Sequence, residues 1–142
     1  MTGRILIIEG EPSLSQELTS ALDKAGFAVV NVPNFPEALV KLTQFKPDLV
    51  ITDVVLPGGD GMEACYQLHN IFGIPIVLLG EDSSDEVWGR VMEADADLYL
   101  VKPFSYPELV ARVKAILRRY RRQEAPTYQN GAIIFLINLP VR

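Results

Sequence analysis

Short apolar runs alternate along this chain with longer stretches whose apolar residues recur at helical spacing. The runs, which predict buried strands, cover residues 5–8, 27–30, 49–52, 74–79 and 98–101. The amphipathic stretches, which predict helices, cover residues 12–25, 36–45, 62–70, 84–94 and 107–120. Strands that are apolar throughout are typical of a parallel sheet with helices on both faces. With right-handed crossovers, the pattern predicts an α/β, flavodoxin-like doubly wound fold, in which a five-stranded parallel sheet has the order 2-1-3-4-5 and five helices cover it.

Residues at the ends of the predicted helices support these boundaries. Pro12 suits a first helical turn. Residues 83–86 and 105–108 each have the serine-to-glutamate spacing of a capping box. Gly26 stands where the end of a helix favours a left-handed residue.

The composition is typical of a soluble globular protein. Hydrophobic residues make up 49% and charged residues 22% of the 142 residues, enough for one domain and a tail. The net charge of −5 argues against direct nucleic acid binding, since phosphate contacts need a basic face. The single cysteine, Cys65, excludes an internal disulfide and suits a reducing compartment. Neither a signal peptide nor a bilayer-spanning apolar stretch is apparent, so we expect a cytoplasmic protein without membrane contact.

The character of the chain changes after Tyr120. Residues 118–122 are basic except for Tyr120, and we expect this run to complement the dipole at the end of the last helix. We predict one folded domain over residues 1–121, a linker over 122–130 and a tail over 131–142. The tail includes an apolar run with strand character that has no helical partner of its own.

Three charged residues follow the predicted first, third and fifth strands. Glu9 and Asp53 are acids, and Lys102 is a base. The carboxyl ends of these strands converge at one edge of a doubly wound sheet, where such folds place their chemistry. Two carboxylates there, with a loop carbonyl such as that of Val55, suit a magnesium ion that keeps several waters. A free oxygen of Asp53 suits attack on phosphorus, with Lys102 and the cation offsetting the charge of the phosphoryl oxygens.

Each of these residues also has a simpler interpretation. An aspartate before a glycine-rich loop commonly starts a turn, so Asp53 alone is weak evidence. Glu9 alone is a solvated strand end, and Lys102 alone is a surface charge. Their joint placement at three converging strand ends favours the functional interpretation.

Two enzyme or cofactor classes are disfavoured. Phosphatases of the haloacid dehalogenase type also use an aspartate at a strand end, but they need an acid two residues later, where this chain has Val55. A flavodoxin-like cofactor site needs a phosphate-binding loop after the first strand, and Glu9 and Glu11 would repel phosphate there.

The stretches around these residues carry a family resemblance. They are RILIIEGEP at residues 4–12, PDLVITDVVLPGGDG at 47–61 and ADLYLVKPF at 96–104. Together they resemble the receiver domain of bacterial response regulators, over about residues 4–121. Residues 103–119 are similar to the OmpR-like branch, whose receivers precede a winged-helix DNA-binding domain. On that resemblance the tail is the start of a winged-helix domain that is truncated here, because too few residues follow the linker to form one.

The resemblance implies a non-enzymatic phosphoacceptor that assists its own phosphotransfer. Asp53 would accept a phosphoryl group from a histidine kinase, and Lys102 would contact it. Tyr99 is the aromatic residue whose rotamer would report it. Magnesium would be held weakly by Glu9, Asp53 and Val55.

Two glycines depart from the family pattern. Gly10 stands where the family has a second acid, usually the direct metal ligand, and the side chain of nearby Glu11 normally points away. Gly80 stands where the family has a threonine or serine that hydrogen-bonds the phosphoryl group. A charge-assisted hydrogen bond of this kind contributes about 1.5–3 kcal/mol. Without it, the usual link between phosphorylation and movement of Tyr99 is missing.

The same branch forms dimers through its fourth helix, fifth strand and fifth helix. Charges stand at the expected positions Glu93, Glu108, Arg112 and Lys114. Trp88 replaces a usual basic residue and Leu98 a usual acid. We therefore expect a homodimer that is more apolar than usual, with Trp88 either in contact with the partner or packed within its own domain.

Two functional hypotheses remain. The first is a two-component receiver, phosphorylated on Asp53 and acting on transcription through that face. The alternative is a dimerisation or protein-interaction module that works without phosphorylation, which Gly10 and Gly80 favour. Cys65 and His69 lack partners for a metal or nucleophilic site and are assigned no function.

Overall fold

The computed structural model describes residues 3–124, with side chains described through residue 121. Its main sheet has five parallel strands in the order β2-β1-β3-β4-β5, which confirms the predicted topology. The strands are β1 (Arg4–Ile8), β2 (Ala28–Val32), β3 (Leu49–Asp53), β4 (Ile76–Gly80) and β5 (Leu98–Val101). The helices are α1 (Pro12–Lys24), α2 (Phe35–Phe45), α3 (Gly61–Phe72), α4 (Asp85–Glu93) and α5 (Tyr106–Glu124).

Two apolar cores lie on the two faces of the sheet. One includes Leu18 of α1, Val113 of α5 and the strand residues that point toward them, such as Ile51. The other includes side chains of α2, α3 and α4, with Leu78 of β4 and Tyr99 of β5. Because side chains alternate along a strand, each inner strand contributes to both cores, which explains why the strands are apolar throughout.

The helix ends agree with the predicted capping signals, with one shift. Pro12 lies in the first turn of α1, and Gly26 has a φ of 99° after its end. The hydroxyl of Ser105 accepts the backbone N–H of Glu108 at 3.2 Å. On α4 the capping residue is Ser84, which accepts the N–H of Val87 at 3.3 Å. The predicted box placed that cap one residue earlier.

Two elements differ from the prediction. The glycine-rich loop after β3 contains a small antiparallel pair, Val55–Leu56 with Gly59–Asp60. Helix α5 continues to Glu124, so residues 122–124, predicted to be linker, are helical. Between Pro107 in its first turn and Pro126 the chain has no proline or glycine that would end the helix earlier. The remainder of the predicted linker and the tail lie outside the described residues.

None of the helices within residues 3–124 combines the length and apolar character needed to cross a bilayer.

Candidate functional site

The charged residues predicted to converge do meet at the carboxyl edge of the sheet. Asp53 is the last residue of β3, Glu9 follows β1 and Lys102 follows β5. Asp53 and Glu9 are each 5% exposed, and Lys102 is partly buried. The order of the strands brings these positions together, because β3 lies between β1 and β4, and β4 lies beside β5.

The carboxylate of Asp53 is held at both oxygens. Oδ2 forms an ion pair with the ammonium group of Lys102, and Oδ1 accepts the backbone N–H of Val55 at 2.9 Å. Burial lowers the pKa of Lys102, but the carboxylates of Asp53, Glu9 and Glu81 together outweigh that effect, so the pKa lies above its ordinary value. Lys102 also donates its backbone N–H to the carbonyl of Gly80 at 2.7 Å, and its bond to Pro103 is cis. The ammonium group is therefore charged and directed at Asp53.

Glu9 presents one unsatisfied oxygen to the site. Its Oε2 accepts the backbone N–H of Glu11 at 3.0 Å, whereas its buried Oε1 has no hydrogen-bond partner among the described residues. Burial, reinforced by the Asp53 carboxylate, raises the pKa of Glu9 to about 7. Such an orphaned carboxylate oxygen is costly unless a proton or a cation satisfies it.

These groups fit a magnesium ion with few protein ligands. Magnesium prefers hard oxygen donors and is commonly bound through one or two carboxylates with several waters. Glu9 and Asp53 supply two carboxylates, and no cluster of three or more acid, His or Cys ligands occurs among residues 3–121.

Glu11 does not replace the missing acid. Its side chain caps α1, accepting the N–H of Leu14 at 2.8 Å and the hydroxyl of Ser13 at 2.7 Å. These hydrogen bonds lower the pKa of Glu11. The Glu11 carboxylate is thus engaged in capping the N-terminus of α1.

The two glycines that depart from the family pattern are both covered by rings. A Cβ atom on Gly10 would lie against the ring of Pro57, and a Cβ atom on Gly80 would lie against the ring of Tyr99. Tyr99 is buried, and its hydroxyl donates to the carbonyl of Asp82 at 2.6 Å. Burial raises the pKa of that hydroxyl. A side chain at either position would therefore require the facing ring to shift.

Comparisons with known proteins agree with this geometry. The sequence profile named Response regulator receiver domain matches residues 5–114. The chain belongs to this family. A crystal structure of a two-component response regulator from Clostridium difficile superposes with a TM-score of 0.79 at 34% identity, covering 83% of this chain and 98% of that one. The BeF3-activated receiver domain of Klebsiella pneumoniae RstA has a TM-score of 0.76 at 34% identity, covering 81% and 98%.

Curated relatives are longer regulators. The chain is 39% identical to the DNA-binding response regulator MtrA of Mycolicibacterium smegmatis, over 94% of this chain and 58% of that protein. It is 37% identical to the transcriptional regulatory protein BaeR of Escherichia coli, over 96% of this chain and 57% of that protein. The chain thus spans somewhat more than half the length of these relatives.

The charged groups of the receiver domain border an open cleft of about 900 Å³. Glu9, Asp53 and Lys102 line one part of it, and Met62 and Val87 line an apolar part. The Asp53 carboxylate thus lies on the wall of this cleft.

Two contacts near Asp53 were not predicted from the sequence. Arg90 of α4 pairs with Asp60 at 3.0 Å, which links α4 to the loop after β3. A Cβ atom on Gly61 would stand 1.9 Å from the carbonyl oxygen of Asp53, so this position requires a glycine. The glycine-rich loop signalled a turn, but the sequence did not show which glycine lies against β3.

The residues predicted to form an interface lie on α4, β5 and α5 of the receiver domain. Trp88 is 40% exposed, and its ring meets that of Tyr99 edge-on with centroids 4.9 Å apart. Leu98 is partly buried against the core. Arg112 pairs with Glu108 one helical turn away at 3.5 Å. The side chains of Glu93, Glu108, Arg112 and Lys114 are all exposed.

Proposed function

We propose that this chain is the signal-receiving part of a two-component response regulator and that Asp53 accepts a phosphoryl group from a histidine kinase. One observation carries the proposal. The Asp53 carboxylate lies at the edge of the sheet between the ammonium of Lys102 and the N–H of Val55, beside the unsatisfied oxygen of Glu9. This supports a site that combines a nucleophile with positive charge.

In the proposed transfer, a carboxylate oxygen of Asp53 forms a bond to phosphorus while the bond from phosphorus to the imidazole nitrogen of the kinase breaks. The leaving imidazole takes up a proton. Lys102 offsets the negative charge on the phosphoryl oxygens, and Val55 donates its N–H to the carboxylate. Glu9, Asp53 and the carbonyl of Val55 would hold a weakly bound magnesium ion, which supplies further positive charge at those oxygens.

The output proposed for the chain is regulation of transcription. MtrA is named a DNA-binding response regulator, and BaeR a transcriptional regulatory protein. We propose that the present chain forms a homodimer through α4, β5 and α5 and does not itself contact DNA. The exposed Trp88 and the charged residues of α4 and α5 support that surface.

The test is incubation of the full chain with acetyl phosphate and magnesium, followed by intact mass measurement. The proposal expects one added phosphoryl group, which is lost in Asp53→Asn. Asp23→Asn, which changes an exposed aspartate of α1, is the matched control and should be labelled like the unmodified chain. Absence of labelling in the unmodified chain, or labelling that survives Asp53→Asn, would contradict the proposal.

A second candidate is a receiver-like module that binds partners without phosphorylation. Gly10 favours it, because the chain has no second acid there and a side chain at that position would need the ring of Pro57 to shift. This candidate expects the same dimer or partner affinity in Asp53→Asn as in the unmodified chain, measured by analytical ultracentrifugation.

A further inference from the structure

Arg90 of α4 lines the same cleft as Asp53 and Lys102, but it has no part in the transfer described above. Its guanidinium donates to Oδ2 of Asp60 at 3.0 Å. The two side chains are 49% and 48% exposed. An ion pair exposed to this degree is weak, so another anion can compete with Asp60 for the guanidinium.

Asp60 holds Arg90 beside the loop that follows the phosphorylation site. The other oxygen of Asp60, Oδ1, caps α3 by accepting the backbone N–H of Met62 at 2.8 Å. The next residue, Gly61, lies directly against β3, where a Cβ atom on it would stand 1.9 Å from the carbonyl oxygen of Asp53. The partner of Arg90 therefore stands one residue from a backbone contact with Asp53.

A phosphoryl group on Asp53 needs more positive charge than Lys102 supplies. Such a group carries roughly two negative charges at neutral pH and several acceptor oxygens. The Lys102 ammonium already pairs with Asp53, and Gly80 has no side-chain donor. Apart from Arg90, the other charged side chains that line the cleft within residues 3–121 are the acids Glu9, Glu11, Glu81 and Asp82. Arg90 is thus the remaining cation on the cleft wall.

We propose that Arg90 is a second cation for the phosphoryl group, and that its guanidinium exchanges the Asp60 carboxylate for phosphoryl oxygens when Asp53 is phosphorylated. The inference rests on the proposed function and adds a binding residue to the same site. The planar guanidinium has five N–H donors in a fixed fork that matches phosphate oxygens. Because Arg90 belongs to α4, the exchange also removes the ion pair that joins α4 to the loop after β3.

A purely structural role for the ion pair has different consequences. If Arg90 only fastens α4 to the loop, removal of either partner breaks the same contact and has the same effect on the site. If Arg90 binds the phosphoryl group, Asp60 competes with that group for the guanidinium. Removal of Arg90 and removal of Asp60 then have opposite effects on binding.

The test uses beryllofluoride, which mimics a phosphoryl group on a carboxylate. The full chain is titrated with it at a constant excess of magnesium, and bound fluoride is measured by fluorine NMR, with Asp53→Asn to identify binding at this site. Arg90→Gln removes the cation. Asp60→Asn removes the competing charge and keeps an amide oxygen that suits the cap of α3. Arg4→Gln, which changes an exposed arginine at the start of β1, is the matched control.

Arg90→Gln should weaken beryllofluoride binding about tenfold, as the loss of a charge-assisted hydrogen bond does. Asp60→Asn should strengthen binding about two- to fivefold, because the weak ion pair no longer competes. Arg4→Gln should bind like the unmodified chain. When Arg90→Gln is already present, Asp60→Asn should have no effect, since no guanidinium remains to be released.

Three results would overturn the inference while leaving the proposed function in place. They are unchanged binding in Arg90→Gln, weaker binding in both single variants, and the same gain from Asp60→Asn with and without Arg90. An unmodified chain that binds no beryllofluoride would also overturn it. Failure of the proposed function is recognised separately, by the absence of labelling with acetyl phosphate.

Discussion

The ring of Pro57 lies against Gly10, so that a Cβ atom on Gly10 would stand 2.8 Å from Cγ and 3.0 Å from Cδ of the proline. Pro57 belongs to the loop that follows Asp53. The absence of an acid at position 10 and the presence of a proline at position 57 are therefore linked, because the proline ring occupies the place that a side chain at position 10 would need.

Restoring the acid at position 10 should therefore require a second change. We expect Gly10→Asp alone to destabilise the fold by about 1–3 kcal/mol, as overpacking does, with little gain in magnesium affinity. Gly10→Asp/Pro57→Ala should bind magnesium about tenfold more tightly than Pro57→Ala, equivalent to about 1.4 kcal/mol. Isothermal titration calorimetry gives the affinities. Equal affinities for the single and double aspartate variants would show that Pro57 does not obstruct the position.

Lys102→Met should leave the buried Asp53 carboxylate without its cation. We expect a loss of about 1–3 kcal/mol in the free energy of unfolding, below the value for a fully buried pair because Lys102 retains some contact with water. Asp53→Asn/Lys102→Met removes both charges and should recover most of the loss. Urea unfolding at neutral pH measures all the variants. A Lys102→Met variant as stable as the unmodified chain would contradict the role given to this ion pair.

Glu9 should make the fold less stable as the pH rises. Its pKa is about 7 in the folded chain against 4.5 for an ordinary glutamate, so the folded state binds the proton more tightly. The stabilisation from the protonated form is fully present below pH 4.5 and is lost as the pH rises through about 7. We expect this group to contribute a loss of about 1–3 kcal/mol across that window.

Glu9→Gln tests this pH dependence, because the amide does not ionise. In magnesium-free buffer its free energy of unfolding should fall less than that of the unmodified chain between pH 4.5 and 7.5. Urea unfolding at stepped pH values measures the difference. Parallel curves for the two proteins would rule out Glu9 as the group responsible.

Gly61 and Gly89 form a matched pair for the effect of one added methyl group. At Gly61 the methyl carbon would meet the backbone of Asp53 at 1.9 Å, and at Gly89 it would meet nothing within 4 Å. Gly61→Ala should lower the free energy of unfolding by about 1–3 kcal/mol or more. Gly89→Ala should raise it by about 0.5–1 kcal/mol, because alanine favours the interior of a helix. Chemical denaturation measures both, and similar effects at the two sites would contradict the close packing of Gly61 on β3.

Trp88→Ala should weaken the proposed homodimer. A truncated interface aromatic commonly costs about 2 kcal/mol, which corresponds to a rise of about thirtyfold in the dissociation constant. Tyr66→Ala removes an aromatic of similar exposure from α3 and should leave association unchanged. Light scattering over a range of concentrations compares the variants. Unchanged association of Trp88→Ala would exclude this side chain from the interface.

The strand order and the positions of the charged site residues could be predicted from the sequence because both depend on the local pattern of apolar and polar residues. Apolar runs identified the strands, and the strand order brought Glu9, Asp53 and Lys102 to one edge. The sequence identified Gly10 and Gly80 as departures but not the rings that cover them. Pro57 and Tyr99 lie far from these glycines along the chain, and their contacts depend on how the loops fold over the sheet edge.

The end of α5 and the capping residue of α4 differ from the predicted positions for a physical reason. Each of Ser83 and Ser84 suits a cap, and adjacent positions differ little in local energy. The basic run after Arg118 is compatible both with a helix end and with a helix that continues. The local sequence therefore does not distinguish the two adjacent caps of α4, and it contains no helix breaker that would end α5 before Pro126.

The contact between Gly80 and Tyr99 also limits which substitutions position 80 can accept. A single substitution that places a hydroxyl at position 80 has to displace the buried ring of Tyr99. That movement breaks the hydrogen bond from Tyr99 to the carbonyl of Asp82 and the ring contact with Trp88. We expect such a variant to be less stable than the unmodified chain unless Tyr99 can occupy another position. A hydroxyl at position 80 is thus expected to require coordinated changes at several positions, because the ring that would have to move is held by other side chains and by the backbone.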